Sequence, residues 1–323
     1  MQRMRVGAID IGSNSVRLLV ADVDGRGEGP GSVETVARAG EICRLGRGIG
    51  RSGAIVEDLA QRAGGLAAEF VRRARALGAR HIVLGATAAI RNAANGTEVA
   101  EIIERRAGLP VRVLSGDQEA RLVYRSVVLG LGAKASRSAC IVFDIGGGST
   151  EVVSGVGAGA GRWTSLPFGA VSLTEAFLHT NPPADHEVAA LRDEVRREVM
   201  HGCASMPERV PLLAGVGGTV TVLAALDRGI EAYDPSLLEG RSVRRDRLTE
   251  LVARIVGAPH EERMGWPIIG EGRADIVAAG ALAVEILVER FPSAGLVCST
   301  QGLRYGLVRI AAEELRAAAE ARD

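Results

Sequence analysis

One short pattern occurs twice in this chain, and it constrains the fold more than any other feature. Residues 8–21 read AIDIGSNSVRLLVA and residues 142–155 read VFDIGGGSTEVVSG. Superposed without a gap, Asp10 meets Asp144, Ile11 meets Ile145, Gly12 meets Gly146 and Ser15 meets Ser149. The copies lie about one domain's length apart. Each consists of an apolar run, Asp-Ile-Gly, a turn of small residues and a second apolar run. That is the pattern of a β-hairpin whose tip accepts unusual backbone angles. Two in tandem predict a duplicated fold with two such tips facing one another.

Turns of Gly and Ser let backbone N–H groups and hydroxyls converge on an anion. Gly12-Ser13-Asn14-Ser15 and Gly146-Gly147-Gly148-Ser149 are therefore candidate phosphate loops. Asp10 and Asp144, at the strand ends, are candidate ligands for a divalent cation, held through water because magnesium dehydrates reluctantly. Phosphate between two loops with a metal alongside is the arrangement of phosphoryl transfer, where positioning and charge neutralisation supply most of the catalysis. Ordinary turn chemistry also explains Asp and Gly at either tip alone. It does not explain the matched pair, and the duplication favours the phosphate reading.

Composition narrows the class. With 47% hydrophobic and 24% charged residues the chain is not disordered, and 323 residues suffice for two domains with a core each. Lys+Arg and Asp+Glu both total 39, so no global field calls for nucleic acid or an anionic membrane. Two Trp, three Tyr and five Phe leave little for base stacking. Cys43, Cys140, Cys203 and Cys298 lie far apart, without zinc-ligand spacing, and read as buried free thiols. The N-terminus runs straight into a predicted strand, which in this reading leaves no signal peptide. The longest apolar helical stretch, 276–288, is too short to span a bilayer and contains Glu285. A soluble, cytoplasmic protein is expected.

Along the chain, strands are expected at 5–11 and 15–23, then a loop from Asp24-Gly25 onward and a third strand at 33–37. Arg44 to Gly50, RLGRGIG, reads equally as a mobile arm over a polyanion or as a solvated loop. An amphipathic helix is predicted over 57–77, and a short buried strand at 81–84 leads into ATAAIRNAAN. That puts Arg91 just beyond a strand's carboxyl end, where open α/β sheets bind ligands; a surface arginine on a short helix is the plainer alternative. After a strand at 111–114, Ser115 and Gln118 fit a capping box, which places Glu119 in the first turn of a helix ending near Gly130–Gly132. Acidic residues are common there because they complement the helix dipole, so position alone leaves Glu119 open between catalytic and capping roles. Residues 133–138 read as a hinge.

In the second copy Glu151 falls where the first has Arg17; it either holds metal or orients water, or is a solvent-facing strand residue. A third strand is expected at 163–167, a short helix at 169–178 and a charged helix at 185–205. The strand at 210–214 then enters Gly215-Val-Gly-Gly-Thr219, and Gly217 and Gly218 at the start of the next helix are further candidate phosphate contacts. His260-Glu-Glu-Arg263 has no zinc partner and reads as surface. Residues 273–290 read as an amphipathic helix, 295–298 as the last strand, and 301–306 as the start of the final helix.

The stretches AIDIGSNS, RLGRGIG, ATAAIRNAAN, SGDQEARL, FDIGGGSTE, VGGTVT, GRADIVAAGALAVE and STQGLRYG occur in that order. Together they resemble the exopolyphosphatase / guanosine pentaphosphate phosphohydrolase (Ppx/GppA) family, in its short two-domain form. SGDQEAR with DIGGGSTE is specific to that family; the glycine turns alone indicate only the wider superfamily. The resemblance implies an α/β, duplicated actin-like fold (ASKHA, ribonuclease H-like) of two domains with an active-site cleft between them. The domains are then 1–132 and 133–323, the final helix 303–321 being able to pack back on the first.

The same resemblance implies roles. Glu119 matches the glutamate proposed as general base, Arg91 the phosphate-contacting arginine, and Asp144 and Glu151 the acidic residues associated with metal and catalysis, with Asp10 opposite them. The implied cofactor is Mg²⁺ (or Mn²⁺). The implied substrate is inorganic polyphosphate, in short chains, or guanosine pentaphosphate (pppGpp), with orthophosphate released; a homodimer is compatible with the family. An ATP-dependent kinase or ATPase using Gly215–Thr219 as an adenosine-side loop, or a non-hydrolysing sensor, are the alternative readings of the same fold.

Overall fold

The computed structural model describes residues 3–24 and 32–321. The loop expected from Gly25 onward lies outside these described residues, apart from Asp24 and Ser32 at its ends. The chain divides into two compact units, 1–132 with 303–323, and 133–302.

In the first unit the repeated pattern forms a hairpin of β1 (Met4–Ile11) and β2 (Ser15–Val23), and β3 (Val33–Ile42) extends it as an antiparallel meander. β4 (His81–Ala86) pairs parallel with β1, and β5 (Val111–Val113) with β4, giving the order β3-β2-β1-β4-β5. β1 is central and parallel to β4, which is why its middle, Val6–Ile9, is apolar throughout and buried. The helices Glu57–Ala76 and Gly96–Ala107 pack together, and their apolar faces join Ile9, Ile11, Val16, Leu18 and Val20 in one core. The helices Gly116–Leu131 and Leu303–Glu320 pack on each other, the latter also against β1, β2 and β4.

The second unit repeats the topology. β6 (Ala139–Ile145), β7 (Thr150–Val156) and β8 (Gly159–Leu166) form the meander, β9 (Leu212–Val216) pairs parallel with β6, and β11 (Leu296–Cys298) with β9. A two-residue strand, β10 (Ser242–Val243), closes the edge, so the order is β10-β11-β9-β6-β7-β8. Three antiparallel strands followed by parallel additions on the first strand's other edge are common to both sheets. The repeat read in two short stretches, 8–21 and 142–155, is thus a repeat of whole sheets.

Two expectations change. The helix predicted over 273–290 begins at Val277 and is buried from Val277 through Val288 rather than amphipathic. The helices Ala170–Phe177, Asp185–Gly202, Gly218–Arg228 and Arg245–Gly257 all pack on it, leaving no face for water. Its one acid there, Glu285, is only 5% exposed and pairs with Arg192 at 2.5 Å. Arg263, read as surface, is 4% exposed, because its guanidinium donates to the carbonyls of Ala274, Ile255 and Ala258. The four cysteines are free and buried, and among the described residues no helix is long and apolar enough to cross a membrane.

Candidate active site

The first tip sits between β1 and β2. Gly12 N donates to Ser15 O at 3.0 Å and closes the turn; Ser13 and Ser15 are buried, Gly12 and Asn14 half-buried. The carbonyls of Ser13 and Asn14 are tied back by the N–H groups of Gly46, Cys43 and Arg44 at 2.7–2.9 Å. Asp10 stands directly opposite Arg17 in the β1–β2 register. Burial pushes the Asp10 carboxyl above its ordinary range, and the charges of Arg17 and Arg304 oppose that shift. Arg17 Nε also donates to Ser15 Oγ at 2.9 Å.

Next to this tip, β4 delivers its end beside Asp10, with Asp10 opposite Gly85. The short helix Ala88–Asn92 follows and carries Arg91. Arg91 Nη1 donates to Leu114 O at 2.9 Å and to Glu119 Oε2 at 2.8 Å. Glu119 is 7% exposed in the first turn of Gly116–Leu131, whose N-terminus is the expected capping box of Ser115 and Gln118. The structure therefore brings the two residues singled out on separate elements into one ion pair.

The second tip repeats the turn, Gly146 N donating to Ser149 O at 3.0 Å. Here the carbonyls of Gly146 and Gly147 accept from Ala170, Val171 and Ser172, the start of a helix. A Cβ at Gly169 would lie 2.5 Å from Gly147 C, so only glycine lets that helix approach the tip. Asp144 stands opposite Glu151 in the β6–β7 register, so the two carboxylates share one face of the sheet. Glu151 is 2% exposed, and its Oε1 accepts from Ser149 Oγ at 2.8 Å and Ser165 Oγ at 2.9 Å. β9 ends beside Asp144, and Gly217, at φ 108, turns the chain into the helix Gly218–Arg228. A Cβ on Gly217 would sit 3.3 Å from Asp144 Oδ1, and one on Gly218 3.3 Å from Arg273 Nε. The third glycine turn thus lies between the Asp144 carboxylate and a guanidinium.

No three His, Cys, Asp or Glu side chains form a metal cluster among the described residues. Two adjacent carboxylates of like charge, one buried, nevertheless suit a divalent cation that keeps most of its waters. Asp144 and Glu151 fit Mg²⁺ in that sense. Asp10, facing Arg17, is compensated within its own unit.

Sequence reasoning missed Ser165, Arg273 and Arg304. Ser165 carries no local signal; Arg273 and Arg304 lie in the quoted GRADIVAAGALAVE and STQGLRYG stretches, but their places beside the glycine turn and Asp10 come from tertiary packing.

Residues 20–314 match the family described as the Ppx/GppA phosphatase family. The chain belongs to it. Among Ppx/GppA relatives, exopolyphosphatase 2 of Mycobacterium tuberculosis is 33% identical over 295 residues, 89% of this chain and 91% of that protein. Exopolyphosphatase 1 of Mycobacterium bovis is 30% identical over 307 residues, 94% of this chain and 87% of that protein. The crystal structure of the Aquifex aeolicus Ppx/GppA family member superposes with a TM-score of 0.80 at 31% identity, covering 98% of this chain and 99% of that one. With the repeated sheet topology, this is the duplicated α/β fold of the Ppx/GppA family.

Proposed function

We propose that this Ppx/GppA chain is a cytoplasmic exopolyphosphatase, which hydrolyses the terminal phosphoanhydride of inorganic polyphosphate and releases orthophosphate. The observation that carries the reading is the Arg91–Glu119 pair at 2.8 Å. It sets a phosphate-binding cation and a carboxylate base side by side at the carboxyl end of β4. A carboxylate has about four lone-pair sites, so the bond to Arg91 does not exhaust the acceptor capacity of Glu119. Glu119 takes a proton from the attacking water as the water oxygen bonds to the terminal phosphorus. The bridging P–O bond breaks, and its electron pair leaves on the shortened chain. Arg91 and the tip N–H groups of Ser13 and Asn14 hold the phosphoryl oxygens. Asp144 and Glu151 are the proposed holders of Mg²⁺, which when bound would neutralise charge on the transferring phosphoryl group.

The similarity to proteins named exopolyphosphatase supports polyphosphate over pppGpp. Orthophosphate release with Mg²⁺ from short and long polyphosphate, pppGpp and ATP tests it, with Glu119→Gln as control. Selective release from polyphosphate, reduced about 10²–10⁴-fold in the variant, is expected. Preference for pppGpp would overturn the substrate, and release that survives Glu119→Gln would overturn the base.

A further inference from the structure

The stretch Arg44–Gly53 is absorbed by neither tip nor base, yet it is built rather than loose. At one end Cys43 N and Arg44 N both donate to Asn14 O, at 2.9 and 2.8 Å, and Gly46 N donates to Ser13 O at 2.7 Å. At the other end Gly53 O accepts from Ala94 N at 2.8 Å, and Ile55 exchanges two hydrogen bonds of 2.9 Å with the Asn95 side chain. Ala94 and Asn95 follow directly on the helix that carries Arg91. Between the anchors the backbone closes on itself through Arg51 and Ser52 to Gly48 O and Gly53 to Ile49 O. Cys43 and Leu45, both 0% exposed, seat it in the core. Of the two readings left open for this stretch, these bonds favour a held loop over a mobile arm.

The stretch joins two phosphate-binding elements of the first unit and is purely cationic. From Cys43 to Val56 it holds three arginines and no acid. Arg44 is the one non-glycine residue with positive φ among the described residues, at 57, a conformation that persists only where the surroundings impose it. Arg47 and Arg51 are exposed, and no described side-chain hydrogen bond or ion pair engages them. Arg62, bonded to Ile42 O at 2.8 Å, adds a fourth guanidinium at the start of the stretch.

We infer that Arg44–Gly53 is a second polyanion subsite, which takes the internal phosphates of the chain behind the terminal one. This rests on the exopolyphosphatase reading and gives that substrate a direction: outward from the first tip along a rigid basic bridge. Guanidinium groups on a fixed backbone attract a repeating anion at little ordering cost. The subsite has no role in the chemical step.

The test compares tripolyphosphate with long-chain polyphosphate for the wild type, Arg47→Ala/Arg51→Ala and Arg47→Lys/Arg51→Lys. The alanine variant should raise KM for the long chain about tenfold, with kcat and the tripolyphosphate KM within about twofold. The lysine variant should stay near wild type, since charge rather than shape is asked of these side chains. Equal losses on both substrates, or an unchanged long-chain KM, would overturn the subsite. Should the wild type release no orthophosphate from any polyphosphate, the exopolyphosphatase reading fails by itself. Equilibrium binding of labelled long polyphosphate without metal then decides the subsite: weaker binding by the alanine variant sustains it, and equal binding removes it.

Discussion

The two hairpin tips are the same device with opposite charge. Their turns close with the same hydrogen bond, Gly N to Ser O at 3.0 Å, and both have carbonyls tied back by N–H donors from a neighbouring segment. They part at the residue facing the aspartate, which is Arg17 in the first tip and Glu151 in the second. The serine hydroxyls follow. Ser15 accepts from Arg17, so its own proton is available to an anion, whereas Ser149 spends its proton on Glu151. Duplication preserved the backbone and exchanged the electrostatics. The first tip is suited to grip phosphate, the second to hold a cation or orient water.

Exchanging those charges is the strongest way to break the comparison. Glu151→Gln should lower kcat/KM about 10²–10³-fold and raise the Mg²⁺ concentration needed for half-maximal rate. Arg17→Gln should act mainly on KM, by about tenfold, with little change in the Mg²⁺ requirement. If Arg17→Gln shifted the Mg²⁺ titration and Glu151→Gln did not, the roles assigned to the tips would be reversed.

Backbone support offers a smaller and sharper contrast. A Cβ on Gly169 would meet three backbone atoms of the second tip within 2.5–2.7 Å, while one on Gly46 would meet the Ser13 side chain of the first at 2.8 Å. Gly169→Ala should cost about 1–3 kcal/mol in denaturant unfolding, and Gly46→Ala less, because the new methyl meets one atom, the Ser13 Cβ, under 3.0 Å rather than three backbone atoms. Equal costs would mean that the helix beneath the second tip does not fix it.

What the sequence made legible was what it encodes locally. The Asp-Ile-Gly repeat, the Ser115–Gln118 cap and the glycine turn at Gly217 all have their causes within a few residues, and each stands where the pattern put it. The helices Gly96–Ala107 and Arg245–Gly257 have no counterpart among the expected elements, although Val99 and Ile103, and Leu248, Leu251 and Ile255, stand at helical spacing; the strand β10 is too short to carry a period. The burial of Arg263 and of the whole Val277–Val288 face depends on which elements surround them, which periodicity does not report. So does the Ser165–Glu151 bond, between residues 14 apart on different strands. The catalytic weight of Glu119 came from resemblance, since its place in a first turn is equally that of a capping acid.

The contrast between neutral and charged partners extends from the tips to two carboxylates elsewhere, and there it is visible in pH. In the second unit Glu187 is held at about 2, against an ordinary 4.5, first by the Thr180 hydroxyl and then by the N–H groups of Ala184, His179 and Thr180. A depressed folded-state value means that the ionised form stabilises the fold. That contribution is complete above pH 4.5 and is lost as pH falls through about 2. The stability gap between wild type and Glu187→Gln should therefore close across that window. In the first unit Glu314 is also lowered, first by its hydrogen bond to Arg112 and further by His81. Its partners are ionic and partly exposed, so salt should shrink the gap for Glu314→Gln, while the hydroxyl and backbone donors on Glu187 leave its gap almost unchanged. Urea unfolding of the two variants, repeated across pH at low and high salt, measures both effects. A Glu187 gap that collapsed with salt would show long-range charge, rather than the donors in contact with it, to be what holds that carboxylate ionised.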